Sequence, residues 1–291
     1  MTDSTTTKVL VLGAAGMLGN AVLRVFATSP GYTAEGSARS AAGVRLLPES
    51  LRASVHTGVD VENFDALASL LGSVRPQVVV NCIGLVKQLA EACDPLAALP
   101  INAMLPHRLS RLCKLVGARL VHVSTDCVFA GTRGRYTEAD APDAQDLYGR
   151  SKLLGEVADD AHAITLRTSI IGHELASSHG LVGWFLAQPG PVRGYAKAVF
   201  SGFPTVELAT LIRDHVLPHP GLSGLYQVSA EPIDKLTLLR LVAAQYGRDT
   251  VITPDERVVI DRSLDSTRFR SATGYAPPAW PELVRRMHAF G

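Results

Sequence analysis

The sequence feature that most restricts the fold is a glycine-spaced turn directly after the first apolar run. Residues 8–12 form a short run rich in valine and leucine, and the motif GAAGMLG follows at residues 13–19. Over residues 17–28 the apolar side chains recur at helical spacing. A strand, a glycine turn and a helix in this order are typical of the first βα unit of a dinucleotide-binding fold. The helix N-terminus would face the phosphates, whereas the alternative is a glycine turn that binds nothing.

The remainder of the first 170 residues alternates apolar runs with helical patterns, which predicts βαβ units around a parallel sheet. Further strands are predicted at 32–38, 54–56, 77–82, 119–124 and 163–166. Helices are predicted at 63–73, 95–116 and 146–160. The predicted fold class is therefore α/β, a Rossmann-type doubly wound parallel sheet with a smaller C-terminal substrate-binding lobe.

The rhythm of the pattern breaks after residue 170. Residues 171–223 are rich in Gly, Pro, His and Ser, and they precede a predicted strand at 225–228 and predicted helices at 234–246 and 281–288. We expect residues 1–170 to form the NADP(H)-binding Rossmann domain and residues 171–291 to form the substrate-binding lobe. Whether the chain of this lobe crosses back to the sheet is left open.

Composition excludes several other classes of protein. Hydrophobic residues make up 47% of the chain, charged residues 19%, and the net charge is +1 without a basic stretch, so no nucleic-acid partner is expected. The four cysteines form no CxxC pair, which speaks against a disulfide framework or a zinc site. The amino terminus lacks an apolar signal region, and the longest apolar run is too short for a membrane span. We expect a soluble cytoplasmic protein with no membrane partner.

The end of the second predicted strand distinguishes between nicotinamide cofactors. Arg39 and Ser40 occupy the turn, and the acidic residue Glu35 comes too early in the strand to hold a ribose hydroxyl pair. A guanidinium matches a phosphate in a forked geometry, so Arg39 favours the 2′-phosphate of NADPH over NADH. An ordinary surface arginine is the alternative.

Two further strand ends carry candidate cofactor residues. Asp60, followed by Val61, ends the third strand, where its carboxylate could accept from the adenine amino group. Asn81-Cys82-Ile83-Gly84 ends the fourth strand and faces the ligand crevice. Helix capping or a turn is the alternative for these polar positions. The predicted cofactor-binding set is Gly13, Ala15, Gly16, Met17, Leu18, Gly19, Arg39, Ser40, Asp60, Val61, Cys82, Ile83, Gly84, Tyr148 and Lys152.

A catalytic pair is predicted in the segment YGRSK. Tyr148 and Lys152 stand four residues apart, which places phenol and ammonium on one helix face. The usual pKa of a tyrosine, about 10, is high for acid–base work, and we expect the lysine cation to lower it. Thr125 ends the fifth strand, where it could hydrogen-bond a substrate oxygen. Asp126 beside it either assists proton transfer or holds a turn.

The motifs GAAGMLG, STDCVFAG, YGRSK and LRTSIIG together resemble the extended short-chain dehydrogenases/reductases, and most of all the dTDP-4-dehydrorhamnose reductase (RmlD-like) branch. The resemblance implies that Thr125, Tyr148 and Lys152 are catalytic and that Asn102 lies near the lysine. It also implies NADPH-dependent reduction of a nucleotide-linked 4-keto-6-deoxy sugar in surface polysaccharide or deoxysugar biosynthesis.

The sequence departs from that branch at two places. Cys127 stands where the branch has tyrosine, and Lys87 and Gln88 replace an alanine-rich loop close to the expected sugar position. Both departures bear on which substrate is accepted. The absence of a glutamate after Asp126 lowers the prospect of a dehydratase.

The substrate, a nucleotide diphosphate-sugar, needs cationic anchors and an aromatic surface. Four cations could contact the diphosphate, of which Arg262 is preferred over Arg193, Lys197 and Arg268, and a surface role is the alternative for each. Trp184 either covers the sugar or packs in the core. His173 has too few suitable neighbours for a metal site, so no metal is expected. The predicted substrate-binding set is Lys87, Thr125, Asp126, Trp184 and Arg262.

Two other functions stay open. The same residues suit a nucleotide-sugar epimerase, and the same branch contains dinucleotide-binding proteins that act as regulatory subunits of another enzyme. A homodimer is also left open, because the apolar helices of the lobe suit a core or an interface equally.

Overall fold

A computed structural model describes residues 6–87 and 90–291. Its centre is a seven-stranded sheet with the order β10-β6-β5-β4-β1-β2-β3, in which every neighbouring pair is parallel. The strands are β1 Thr7–Leu12, β2 Tyr32–Ala38, β3 Val55–Thr57, β4 Val78–Asn81, β5 Arg119–Thr125, β6 Ala163–Thr168, β7 Ile170–Ile171, β8 Val192–Phe200, β9 Phe203–Pro204, β10 Gly224–Gln227, β11 Ile233–Asp234 and β12 Ile252–Asp261. The order reverses between β1 and β4, and the crevice at such a switch point is where α/β sheets bind ligands.

Helices cover both faces of this sheet, and others belong to the chain after residue 170. The helices are α1 Met17–Ala27, α2 Ala41–Val44, α3 Glu49–Arg52, α4 Phe64–Val74, α5 Pro95–Ala98, α6 Leu105–Val116, α7 Leu147–Leu154, α8 Leu181–Leu186, α9 Thr205–Leu211, α10 Lys235–Gln245, α11 Thr267–Thr273 and α12 Trp280–Phe290. No helix in the described part of the chain has the length and apolar character needed to cross a membrane.

The core consists of two apolar layers, because alternate residues of each strand point to opposite faces. Val9 and Val11 pack with α1, α9 and α12 on one face, whereas Leu10 and Leu12 pack with α4 and α6 on the other. These runs are apolar throughout because neither sheet face meets water. The predicted Rossmann-type fold is thereby confirmed.

Two predicted helices differ from the observed ones. The helix predicted over 95–116 is divided, because the π-helical turn Leu99–Met104 separates α5 from α6. Pro100 and Pro106 lack the N–H that regular helical bonding requires there. The helix predicted over 146–160 ends at Leu154. Gly155 follows where the chain lies so close to Asn102 that an added Cβ would be 2.0 Å from the Asn102 carbonyl oxygen.

The chain after residue 170 contributes to two places. A three-stranded sheet of order β11-β8-β12 forms a wall beside the main sheet, and α10 packs against it. β10 then returns to the edge of the main sheet and pairs with β6. The division at residue 170 stays a prediction, although the return of β10 shows that the chain crosses back to the sheet.

Candidate functional site

A cleft of about 590 Å³ opens at the carboxyl ends of the central strands. One wall is formed by the glycine turn after β1, the middle by the ends of β4, β5 and β6, and the far wall by residues of β8, α10 and the end of β12. The predicted residues that line it are Ala15, Gly16, Met17, Leu18, Cys82, Ile83, Gly84, Lys87, Thr125, Asp126, Tyr148, Lys152 and Arg262.

The glycine turn forms a close-packed cradle at one end of the cleft. Gly13 has a φ of +82°, which L-residues with side chains rarely adopt. A Cβ on Gly19 would lie 2.0 Å from the carbonyl oxygen of Gly13, so α1 can approach the turn this closely only because residue 19 is glycine. Gly16 caps α1, whose free N–H groups face the cleft. Backbone donors at a helix N-terminus fit the diphosphate of a dinucleotide.

The end of β2 lies beside this cradle. The N–H of Ala14 donates to the carbonyl of Ser37 over 2.9 Å, and Ser40 stands at the N-cap position of α2. Arg39 is exposed between them and has no carboxylate within salt-bridge distance in residues 6–87 and 90–291. Glu35 instead bonds to His56, with 2.7 Å between Oε2 and Nε2. Arg39 is therefore a charged side chain at the end of β2, but it is not among the residues that line the cleft.

Asp60 and Val61 are not brought into the cleft. Asp60 is exposed three residues past the end of β3, where its Oδ1 accepts from the N–H of Glu62 over 3.0 Å. This is the turn role left open as the alternative. The adenine contact of these two residues stays a prediction.

Tyr148 and Lys152 project from α7 towards the end of β5. Asp146 caps this helix by accepting from the N–H of Gly149 over 2.8 Å. Gly149 lets the helix approach the turn after β5, because its Cβ would lie 2.3 Å from the carbonyl of Cys127. The fold thus brings Thr125, Tyr148 and Lys152 into one cleft.

Burial governs the protonation of this pair. The ammonium of Lys152 donates to the carbonyl of Val123 over 2.9 Å, and burial lowers the pKa of Lys152 to about 8. The expectation of a lowered Tyr148 pKa is wrong for this structure, because burial raises the phenol pKa above its ordinary value by more than the neighbouring groups lower it. Burial removes water from the charged phenolate, and the free-energy cost of this desolvation exceeds the stabilisation that neighbouring groups give it. Tyr148 is therefore a protonated donor at neutral pH.

The carboxyl of Asp126 is buried beside Thr125. Thr125 Oγ1 donates to Asp126 Oδ1 over 3.2 Å and accepts from the N–H of Cys127 over 3.1 Å. Burial raises the pKa of Asp126, and the nearby cation of Arg262 opposes this rise. Arg262 is itself held by a 2.7 Å bond from its Nε to the carbonyl of Phe129, which leaves its other nitrogens for the cleft.

Asn102 occupies the π-helical turn and links two walls of the site. Its Oδ1 accepts from the N–H of Leu85 over 2.9 Å, and its Nδ2 lies 3.2 Å from Ser151 Oγ. It thereby ties the loop after β4 to the helix that carries Lys152. π-Turns of this kind are common at functional sites.

The predicted substrate residues Lys87 and Trp184 differ in whether they line the cleft. Lys87 lines it but is paired with Asp146 over 2.6 Å. Trp184 is 38% exposed on α8 and is not among the lining residues. Gln88 lies outside the described residues.

The lining residues that sequence reasoning missed include two charged ones, Lys235 and Glu174. Lys235 follows the N-cap of α10, and Glu174 accepts from the N–H of Gly180 over 2.7 Å. No local pattern marks either residue, because the packing of the lobe against the sheet brings them to the cleft. In the part of the chain that the structure describes, no three His, Cys, Asp or Glu side chains form a metal-binding group.

The fold and the site define a Rossmann-type protein of the extended short-chain dehydrogenase/reductase class. A family model described as RmlD substrate binding domain matches residues 7–184. The chain belongs to this family, which is the RmlD-like branch of the extended short-chain dehydrogenases/reductases.

Relatives with different activities resemble the chain. Methionine adenosyltransferase 2 subunit beta from Mus musculus is 31% identical over 171 residues, which cover 58% of this chain and 48% of that protein. The dTDP-4-dehydrorhamnose reductase of Streptomyces griseus is 33% identical over 150 residues, 51% of this chain and 43% of that protein. The chain thus spans about half the length of these curated relatives.

The crystal structure of dTDP-4-dehydrorhamnose reductase from Bacillus anthracis in complex with NADP superposes with a TM-score of 0.80. It is 21% identical, with 98% of each chain covered. This likeness bears on the fold, which it shares over almost its whole length.

Proposed function

We propose that the protein is an NADPH-dependent reductase of a nucleotide-linked 4-keto-6-deoxy sugar in surface polysaccharide or deoxysugar biosynthesis. The observation that carries the proposal is the convergence of Thr125, Tyr148 and Lys152 on one cleft that begins at a glycine cradle. The family membership and the reductases among the relatives support the same reaction class.

Reduction of a ketone needs a hydride at carbon and a proton at oxygen. A bound reduced nicotinamide would supply the hydride to the keto carbon. Thr125 would hydrogen-bond the keto oxygen, and the protonated phenol of Tyr148 would give that oxygen its proton. The Lys152 ammonium would favour the phenolate left on Tyr148 and would hold the ribose hydroxyls of the cofactor.

The test follows the absorbance of NADPH with a panel of enzymatically prepared nucleoside-diphosphate 4-keto-6-deoxy sugars. Oxidation with one member, with the hydroxyl product identified by mass spectrometry, is the expected result. Conversion of a sugar without net NADPH oxidation would instead assign an epimerase, which uses the same residues.

Arg39 is expected to set the preference for NADPH. Replacing Arg39 with alanine removes a charge-assisted bond to a 2′-phosphate, so the Kd for NADPH should rise roughly tenfold or more while that for NADH stays unchanged. Fluorescence titration of both cofactors measures the two constants. The matched control is Arg111→Ala, an exposed arginine of α6 outside the cleft. Equal weakening of both cofactors in Arg39→Ala would contradict the role.

Arg262 is expected to anchor the substrate diphosphate. Arg262→Met should raise KM for the nucleotide sugar roughly tenfold or more, because a charge-assisted contact is lost, while NADPH affinity is unchanged. Steady-state kinetics with either substrate varied measures this split. Arg268→Met is the control, since Arg268 bonds to the Leu225 carbonyl and does not line the cleft. An unchanged KM in Arg262→Met would refute the anchor.

A second candidate is a dinucleotide-binding regulatory subunit, and the similarity to methionine adenosyltransferase 2 subunit beta favours it. That relative is named as a subunit. Under this alternative the chain would bind NADPH without oxidising it and would change the activity of a partner enzyme. Addition of the chain to a methionine adenosyltransferase from the same source, with turnover measured, tests it.

A further inference from the structure

A buried ion pair lies directly beneath the candidate site. Arg167 on β6 binds Glu156 in a forked geometry, with 2.8 Å from Nε to Oε1 and 2.7 Å from Nη2 to Oε2. The two side chains are 4% and 5% exposed. Burying two charges costs desolvation energy, and such a pair is weak evidence of a contribution to stability alone.

The pair is connected to the three elements that carry the site. Glu156 follows Lys152 by four residues, beyond the end of α7. Ser124, which precedes Thr125 and lines the cleft, donates from its hydroxyl to Glu156 Oε1 over 2.7 Å. The Lys152 ammonium donates to the carbonyl of the residue before Ser124. One carboxylate thus lies among the ends of β5, β6 and α7.

We propose that Glu156, held by Arg167, is a positioning residue that keeps Lys152 charged and fixes the strand end that presents Thr125. This inference rests on the proposed function, because a charged Lys152 matters there for the transfer of a proton from Tyr148. Glu156 acts through Lys152 and Ser124 and need not touch the substrate.

The charges around Lys152 support this role. Burial lowers the pKa of Lys152 to about 8, and the carboxylate of Glu156 opposes that change. His122, on β5, is neutral because burial and the Lys152 charge hold its pKa well below the ordinary value. Tyr148, on the same helix as Lys152, is a neutral phenol, and burial raises the pKa of Asp126. The carboxylate of Glu156 therefore favours the ammonium form of Lys152.

The test compares two substitutions of one residue. Glu156→Gln keeps the size and removes the charge, so the pKa of Lys152 should fall by roughly one unit or more, the effect of losing a nearby opposite charge. Glu156→Asp keeps the charge and shortens the side chain, so it should leave Lys152 much closer to the wild type. A packing role alone would make Asp at least as harmful as Gln.

The measured quantity is the pH titration of Lys152, followed by NMR of the full chain with lysine labelled with ¹³C at Cε. The signal is assigned by its absence in Lys152→Met. Glu207→Gln is the matched control, because Glu207 is 3% exposed and pairs with Arg286 over 2.7 Å, away from the cleft. The control should leave the Lys152 titration unchanged.

The same variants are compared in the pH profile of NADPH oxidation. Because Lys152 loses its proton as pH rises, the alkaline limb in Glu156→Gln should move to lower pH by the same shift. Gln also leaves Arg167 without a counter-charge. If that variant does not fold, Glu156→Gln with Arg167→Met removes both charges. The Lys152 pKa should then still lie below the wild-type value, but by a smaller margin, because loss of the Arg167 cation favours the ammonium form.

A lowered Lys152 pKa in Glu156→Gln, with a nearly normal one in Glu156→Asp, supports the proposal. Equal titrations in the two variants, or a larger shift with Asp, overturn it. The NMR result does not depend on turnover, so an absence of sugar reduction would refute the proposed function while the charge relation between Glu156 and Lys152 is still decided.

Discussion

Tyr148→Phe should lower the rate of NADPH oxidation by roughly 10²–10⁴-fold, the contribution typical of a positioned acid–base group. The substitution removes one hydroxyl from a side chain that lines the cleft beside Thr125 and Lys152. Burial raises the pKa of Tyr148, so the wild-type phenol is protonated at neutral pH and ready to donate. Phenylalanine keeps the ring and its packing, so the affinity for NADPH should change little.

The measurement pairs steady-state oxidation with fluorescence titration of NADPH. Tyr195→Phe is the matched control, because Tyr195 is a 36% exposed residue of β8 that does not line the cleft. That variant should keep wild-type activity. Oxidation at the wild-type rate by Tyr148→Phe would remove Tyr148 from the proposed chemistry.

Gly19→Ala should impair both folding stability and cofactor binding. The new Cβ would lie 2.0 Å from the carbonyl oxygen of Gly13 and 3.0 Å from the Cα of Ala14. These are backbone atoms and cannot rotate away, so the turn must shift. Overpacking of this kind costs about 1–3 kcal/mol, which exceeds the helix-propensity gain of about 1 kcal/mol for Gly to Ala. A displaced cradle should weaken NADPH binding at least roughly tenfold.

Urea unfolding and NADPH titration measure the two effects of Gly19→Ala. Gly72→Ala is the control, since Gly72 is exposed in α4 and an added Cβ would meet no atom within 4 Å. It should be neutral or stabilising by up to about 1 kcal/mol, with unchanged NADPH affinity. If Gly19→Ala unfolds and binds like the wild type, the glycine is not needed for the cradle.

Local patterns were sufficient to predict the sheet and the centre of the site. The strand-turn-helix at Gly13, the four-residue spacing of Tyr148 and Lys152, and the strand end at Thr125 are each set by a few neighbouring residues. A parallel sheet then brings strand ends to one edge without further information. For this reason the sequence placed these three elements in one cleft.

Features that depend on long-range packing were not predictable in this way. In the π-helical turn, Asn102 lies between Pro100 and Pro106, at the point where Gly155 packs against the Asn102 carbonyl. The raised pKa of Tyr148 depends on which groups bury the phenol. Lys235 reaches the cleft through the pairing of β11 with β8, a contact with no local signature. The hydrogen bond from the Glu62 N–H to Asp60 was likewise not predictable, because it depends on β3 ending at Thr57, three residues before Asp60.

The most direct test of the central claim is NADPH oxidation by the wild-type chain with each member of a panel of nucleoside-diphosphate 4-keto-6-deoxy sugars. The account predicts that at least one sugar is reduced to its 4-hydroxy product with one NADPH consumed per molecule. Tight NADPH binding without reduction of any of these sugars would contradict it and would favour the regulatory subunit.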